Sequence, residues 1–425
     1  MLLDLSVELL QEIAFNLDSS DYRNFRAVCK DTSFAMEPLF FSTIVLSRQH
    51  LRLKSGHWIL RSLASGETGW SKYAKTLRFA RGNQINAWEE ASRLSDTAMQ
   101  ELLTRALWSM MNINTFIWEV HEGVPMWQRD LICDYLRALP FLDDLQLTVE
   151  GVELSLGRLA GLRSLQITTP YWKECPMVQQ VSHLATQSSR LTTLHVFGFT
   201  DWSELWSTLR RTNPQISLRE ISTNVITNQL LAYLSSYSGI EKLSLHRPDG
   251  GSLAKSDHLA NSFFQTVLPQ HSESLVGLAC SARYESAWSF GTHNADLISN
   301  LLKLETLEMS VNAEDVVNII EPSMNAVEIL LRSVVHMPAL RSLEIHSADA
   351  QEHRNVRYSN VIRRHHYEVY EAITATVTEF RSCNRSSAIL RVDGHSYEIR
   401  PLRVEGASGS AAGEDGLFAY FQIDV

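Results

Sequence analysis

The sequence predicts an α/β chain in three parts: a short helical unit, an irregular solenoid of strand–helix repeats with a parallel sheet, and a C-terminal helix-and-strand cap. Three observations carry the prediction. A phrase of the form L-x-x-L-x-L keeps returning between residues 113 and 345. Runs with apolar residues at helical spacing lie between the copies. After the last copy the composition changes, and strand-like segments follow a hairpin signal.

The helical unit comes first. Leu5, Leu9, Ile13 and Leu17 recur every four residues and line up one face of a helix. The polar break Asp18-Ser19-Ser20-Asp21 can end that helix and cap a second one, which brings in Tyr22, Phe25, Val28 and Cys29. A third apolar segment runs from Phe34 to Phe41, and Ile44-Val45-Leu46 reads as a strand. So few short helices bury little core alone. Their apolar face is expected to be shared with a partner or with the next domain, the plain alternative being a helical hairpin packed on its own domain.

The repeats occupy 47–350. Copies of the phrase are INTFIW (113–118), LDDLQL (142–147), LRSLQI (162–167), LTTLHV (191–196), LREIST (218–223), IEKLSL (240–245), LVGLAC (275–280), LETLEM (304–309) and LRSLEI (340–345), with a weaker AKTLRF at 74–79. From Phe116 onward the steps are 29, 20, 29, 27, 22, 35, 29 and 36 residues, so the period is real but loose. Within each copy the last two apolar residues alternate as on a strand and point into a core. Between copies, Trp202, Leu205, Trp206 and Leu209 fall at i, i+3, i+4 and i+7, with Asp201 able to cap; Gln229 to Tyr237 and Val327 to Val335 read the same way. Units of this kind cannot bury their apolar faces singly and stack into a solenoid. Nine or ten strands about 4.8 Å apart would give a concave sheet roughly 45 Å long. A closed α/β fold with repeated strands is the alternative.

Residues 351–425 read as a cap. The stretch 351–367 holds four Arg and three His against one acid, Glu352. A helix is expected from Tyr367 to Phe380, followed by strands at 388–392, 395–404 and 417–425. Asp393-Gly394 is a hairpin signal between the first two, and Gly406 to Gly416 reads as a loop.

The N-terminal pattern resembles the F-box. Family members read roughly L-P-x-E-L-L-x-x-I, then a Leu, a polar turn with Asp, and L-R-x-V-C-K. Leu5, Glu8, Leu9, Leu10, Ile13, Leu17, Asp21, Phe25, Arg26, Val28, Cys29 and Lys30 occupy those places. Ser6 stands where the family usually has Pro, Phe25 replaces Leu, and no Trp follows Lys30. The phrase that follows looks like the leucine-rich repeats behind the F-box of many fungal F-box proteins, although most copies lack the Asn of L-x-x-L-x-L-x-x-N. The resemblance implies docking onto a Skp1-type adaptor, and through it onto a cullin ubiquitin ligase, by residues 1–46, with Leu5, Ser6, Glu8, Leu9, Ile13, Leu17 and Tyr22 at the contact. The repeats would then hold a protein target.

Composition narrows the function classes. With 44% hydrophobic and 20% charged residues the chain is globular rather than disordered. A net charge of −10 argues against non-specific binding to nucleic acid or anionic membranes. Cys29, Cys133, Cys175, Cys280 and Cys383 are scattered without CxxC spacing, so neither a disulfide framework nor a zinc knuckle is expected. Asp4 and Glu8 stand where a signal peptide needs a basic and then an apolar run, and no stretch approaches 18 apolar residues. A cytoplasmic or nuclear protein is expected.

No nucleophile or metalloprotease motif is present, and the Gly-rich 406–416 segment lacks the GK[ST] ending of a phosphate loop. His365 and His366 are adjacent and read as a solvated helix face, while Phe197, Phe199, Trp202 and Trp206 read as core. The expectation is a non-catalytic adaptor with no cofactor or metal. Alternatives are a repeat scaffold that recruits no ligase, and an enzyme whose site sequence does not reveal. Arg354, Arg357, Arg363 and Arg364 are the candidate target contacts, since guanidinium forks suit acidic or phosphorylated segments; a solvated loop is the plain alternative.

Overall fold

A computed structural model describes residues 5–18, 20–52, 56–81, 94–157, 159–170, 175–212, 216–317, 319, 324–355, 360–384, 386, 388–402 and 417–423. Arg357 and the expected 406–416 loop lie outside them. The chain forms two compact units, Met1–Leu191 and Thr192–Val425.

The first unit opens with helices Val7–Phe15, Tyr22–Arg26 and Lys30–Phe40. The last begins at a reciprocal cap: the Cys29 sulfur accepts from the Thr32 backbone N–H at 3.4 Å, and the Thr32 hydroxyl accepts from the Cys29 N–H at 3.0 Å. Five strands follow: β1 (Thr43–Ser47), β2 (Thr76–Ala80), β3 (Thr115–His121), β4 (Asp144–Glu150) and β5 (Ser164–Thr168). They pair in chain order, all parallel, with Leu77, Phe116, Leu145 and Leu165 in register and fully buried.

The second unit continues the same scheme with β6 (Thr193–Phe197), β7 (Glu220–Thr223), β8 (Lys242–Leu245), β9 (Gly277–Cys280), β10 (Thr306–Val311), β11 (Ser342–Ser347) and β12 (Ile389–Val392). These are parallel, and Leu194, Ile221, Leu243, Leu278, Leu307, Leu343 and Leu390 form one buried row. Strands β13 (His395–Pro401) and β14 (Phe418–Ile423) then add antiparallel. Asp393 and Gly394 both take positive φ, 45° and 86°, which is what a two-residue primed turn between twisted strands requires. The strand order in each unit is sequential and open, so the closed arrangement does not form among the described residues.

The connections explain the loose period. Only 20 residues separate Leu145 from Leu165, and no helix forms between β4 and β5 among the described residues. The 35-residue step from Leu243 to Leu278 holds helix Leu253–Ser262, a π-helical turn at Phe263–Val267 and helix Leu268–His271. Ordinary repeats lie between these extremes: Trp202, just before helix Ser203–Thr212, and Leu205, Trp206 and Leu209 along it are fully buried, and Asp201 accepts from the Ser203 N–H at 2.9 Å. Phe199 departs from the expected aromatic core, being 73% exposed.

The C-terminal helix spans Asn360–Glu379, seven residues longer at its start than expected, and buries Val369, Ile373 and Val377 at i, i+4 and i+8. Among the described residues no helix is long and apolar enough to cross a membrane.

Candidate functional site

Two surfaces stand apart from the packed interior, one in each unit. The first is on the N-terminal helices. Leu10 and Ala14 are the fully buried members of helix Val7–Phe15. The Leu5, Leu9, Ile13 and Leu17 row lies to one side of them: Leu9 is 53% exposed and the other three are half-buried. Phe15, Val28 and Phe34 add further exposed apolar side chains at 74%, 55% and 56%. Ser6 precedes the helix in extended conformation, and hydrogen bonds from the Glu8 backbone and the Ser6 side chain hold the Glu8 carboxyl below its usual range. Tyr22 is half-buried at the start of the second helix. The expected adaptor contacts thus sit on one short helical unit, but Leu9 is the one large apolar member among them that is mostly exposed.

The second surface is the strand face opposite the buried leucine row in the second unit. Because alternate strand residues point to opposite faces, each repeat delivers one or two polar side chains there. His195 on β6 lies 3.3 Å from the Glu220 carboxylate on β7, without the alignment of a hydrogen bond. His246, directly after β8, lies 2.9 Å from the Ser222 hydroxyl. Glu308 on β10 accepts a 2.5 Å hydrogen bond from Ser281 and lies 3.3 Å from His346 Nε2 on β11. His346 is also 3.4 Å from Glu344. The Glu308 carboxylate raises the affinity of His346 for its proton, and His346 in turn holds Glu308 below its ordinary range.

No family model and no curated protein matches this chain. The reading of its surfaces therefore rests on their own chemistry.

Of the candidate arginines, Arg354, Arg363 and Arg364 lie among the described residues. Arg354 is turned inward, its guanidinium 2.8 Å from Asp249 and 4.3 Å over the Tyr284 ring, with 17% of the side chain exposed. Arg363 is exposed on helix Asn360–Glu379, and Arg364 there pairs with Glu368 at 2.7 Å. His365 and His366 depart from the solvated face expected of them. His365 meets the Ala348 carbonyl at 2.9 Å, and His366 meets Asp349 at 2.8 Å. Both sit on helix Asn360–Glu379, against residues that directly follow β11.

The links of His195 and Glu308 to His246, Ser281, Glu344 and His346 are not among the expectations drawn from the sequence. A signal for them existed. The residue after the phrase is His in IEKLSL-His246 and LRSLEI-His346, and LETLEM and LRSLEI both carry Glu at the fifth place. Parallel pairing in register converts those recurrences into neighbours.

Proposed function

We propose that this chain is the substrate-recognition adaptor of an SCF-type (Skp1–cullin–F-box) ubiquitin ligase. In this reading residues 5–46 dock on a Skp1-type adaptor, and the leucine-rich repeats receive a protein target. One observation carries it: the N-terminal segment that bears the F-box pattern leaves large apolar side chains, Leu9, Val28 and Phe34 among them, more than half exposed. A stable helical unit gains nothing from such exposure, whereas a partner that covers it gains apolar burial at roughly 25 cal/mol per Å².

The contribution to chemistry is positional. An adaptor that holds a target lysine near a charged ubiquitin carrier makes a bimolecular step effectively unimolecular. It needs no nucleophile of its own. Target contact falls to the polar strand face of the second unit, with the exposed Arg363 and Arg364 available to an acidic or phosphorylated segment. Such a protein works where cullin ligases work, in the cytoplasm or nucleus.

The test is retention of purified Skp1 by the intact chain. Replacing Leu9 and Ile13 by Asp buries unpaired charge at the contact, costs several kcal/mol and abolishes retention. Unfolding midpoints measured alongside separate lost docking from lost folding. If the intact, folded protein fails to retain Skp1, the adaptor reading falls and the scaffold reading stands.

A further inference from the structure

The second unit's strand face, to which the adaptor reading assigns target contact, also carries an arrangement that Skp1 docking does not involve. Glu308 and Glu344 stand directly opposite each other in register on β10 and β11. Like charges facing each other across neighbouring strands repel. Both carboxylates nevertheless converge on one nitrogen, His346 Nε2, at 3.3 and 3.4 Å. All three donor atoms lie within 4.8 Å of one another, and the side chains are about one-third exposed, so the site opens to solvent.

We propose that Glu308, Glu344 and His346 form a zinc-class divalent metal site. The convergence of two carboxylates on one imidazole, at separations a shared ion would have, supports the site. At 3.3 and 3.4 Å the contacts are long for charge-assisted hydrogen bonds, which run about 2.7 to 2.9 Å. In a tetrahedron with metal–ligand bonds of about 2.0 to 2.2 Å, neighbouring donors stand about 3.3 to 3.6 Å apart. The two measured separations fall in that range. An ion placed among the three would also remove the repulsion between the facing carboxylates.

The donor set selects the class of ion. An imidazole with two carboxylates suits zinc and its transition-metal neighbours, whereas calcium takes six to eight oxygens and magnesium an octahedron of them. Three protein ligands leave a fourth position for water or for a donor from a bound molecule. Outside the ligand set, the Ser281 hydroxyl donates to the Glu308 Oε1 that faces His346, fixing the carboxylate's orientation. The site stands independently of Skp1 docking, since none of its residues lies in the N-terminal helices.

Calorimetric titration of the full-length, chelator-stripped protein with Zn2+ is the test, using wild type, His346→Ala, Glu344→Gln and Ser281→Ala. We expect one ion in wild type, at least about 100-fold weaker binding when either ligand is replaced, and about tenfold weaker binding in Ser281→Ala. No binding to wild type overturns the site, and so does equal binding by wild type and the ligand variants, which would place the ion elsewhere. Should the variants fail to fold, Co2+ absorption of the wild type decides. A spectrum without a thiolate charge-transfer band supports the His–carboxylate set, and a thiolate band assigns the ion to a cysteine and overturns it. Skp1 retention, measured in parallel, is unaffected by these substitutions whether or not the adaptor reading holds.

Discussion

His366 and Asp349 are held together by a 2.8 Å contact just beyond the end of β11, and each changes how the other holds its proton. The hydrogen bond to Asp349 raises the pKa of His366, and the same bond lowers that of Asp349. Arg247, Arg283, His353 and Asp393 also act on the pair electrostatically. The two shifts have opposite signs in stability. The histidine's contribution is complete below its ordinary pKa of about 6.5 and is lost as pH rises through the elevated folded value. The aspartate's is complete above its ordinary pKa of about 3.9 and is lost as pH falls through the depressed one. The pair therefore stabilises most between about pH 4 and 6.5, by about 1 kcal/mol or less given its partial exposure. The difference in melting temperature between wild type and His366→Ala should shrink from pH 6 to pH 8.5; a constant difference would mean that the contact is unimportant. At this scale the sequence was partly legible. Asp393-Gly394 specified its turn because few residue pairs tolerate positive φ at both positions. Arg354 was misjudged, because nothing local to 351–367 reveals Asp249, 105 residues earlier, as its partner.

Asn325 shows what holds a single repeat helix in place. Its Oδ1 accepts from the Val327 and Glu328 N–H groups at 2.9 and 3.2 Å, capping helix Ala326–Val334. Its Nδ2 donates to Thr376 on the C-terminal helix at 3.1 Å. Asn325→Ala should cost about 1 to 2 kcal/mol. Asn325→Asp keeps the cap and loses only the donor to Thr376, so it should cost less than the alanine variant. Chemical denaturation of the two variants checks the order, and equal losses would assign the effect to the Thr376 bond instead. Helices of this kind were readable because their buried residues repeat at i, i+3, i+4 and i+7; Val327–Val335 was placed within one residue of the observed Ala326–Val334. The sequence places the start of the C-terminal helix seven residues late because its buried positions, Val369, Ile373 and Val377, all lie after its first nine residues. Its first turns, Asn360 to His366, are anchored by polar contacts that apolar spacing does not report.

Among the described residues of the second unit, β7 to β13 each pair with the strand before and the strand after, so stability should be transmitted from neighbour to neighbour. The phrase L-x-x-L-x-L was enough to read this arrangement, since its fourth position becomes the buried row from Leu194 to Leu343. It did not mark the division of the chain at Leu191, because the 29-residue step from Leu165 to Leu194 looks like any other. Leu243 sits within that row at 1% exposure, flanked in register by Ile221 and Leu278. Replacing it by Ala leaves a cavity and should cost about 2 to 5 kcal/mol. If the stack behaves as a one-dimensional array, the loss will not spread evenly. Amide hydrogen exchange should accelerate most in β7, β8 and β9, where the removed side chain had its partners. It should change least in β11 and β12, which are separated from the cavity by intact repeats. Equal acceleration in Glu220–Thr223 and Ser342–Ser347 would instead mean that the second unit opens as one cooperative body. The leucine row would then be a single shared core rather than a chain of local ones.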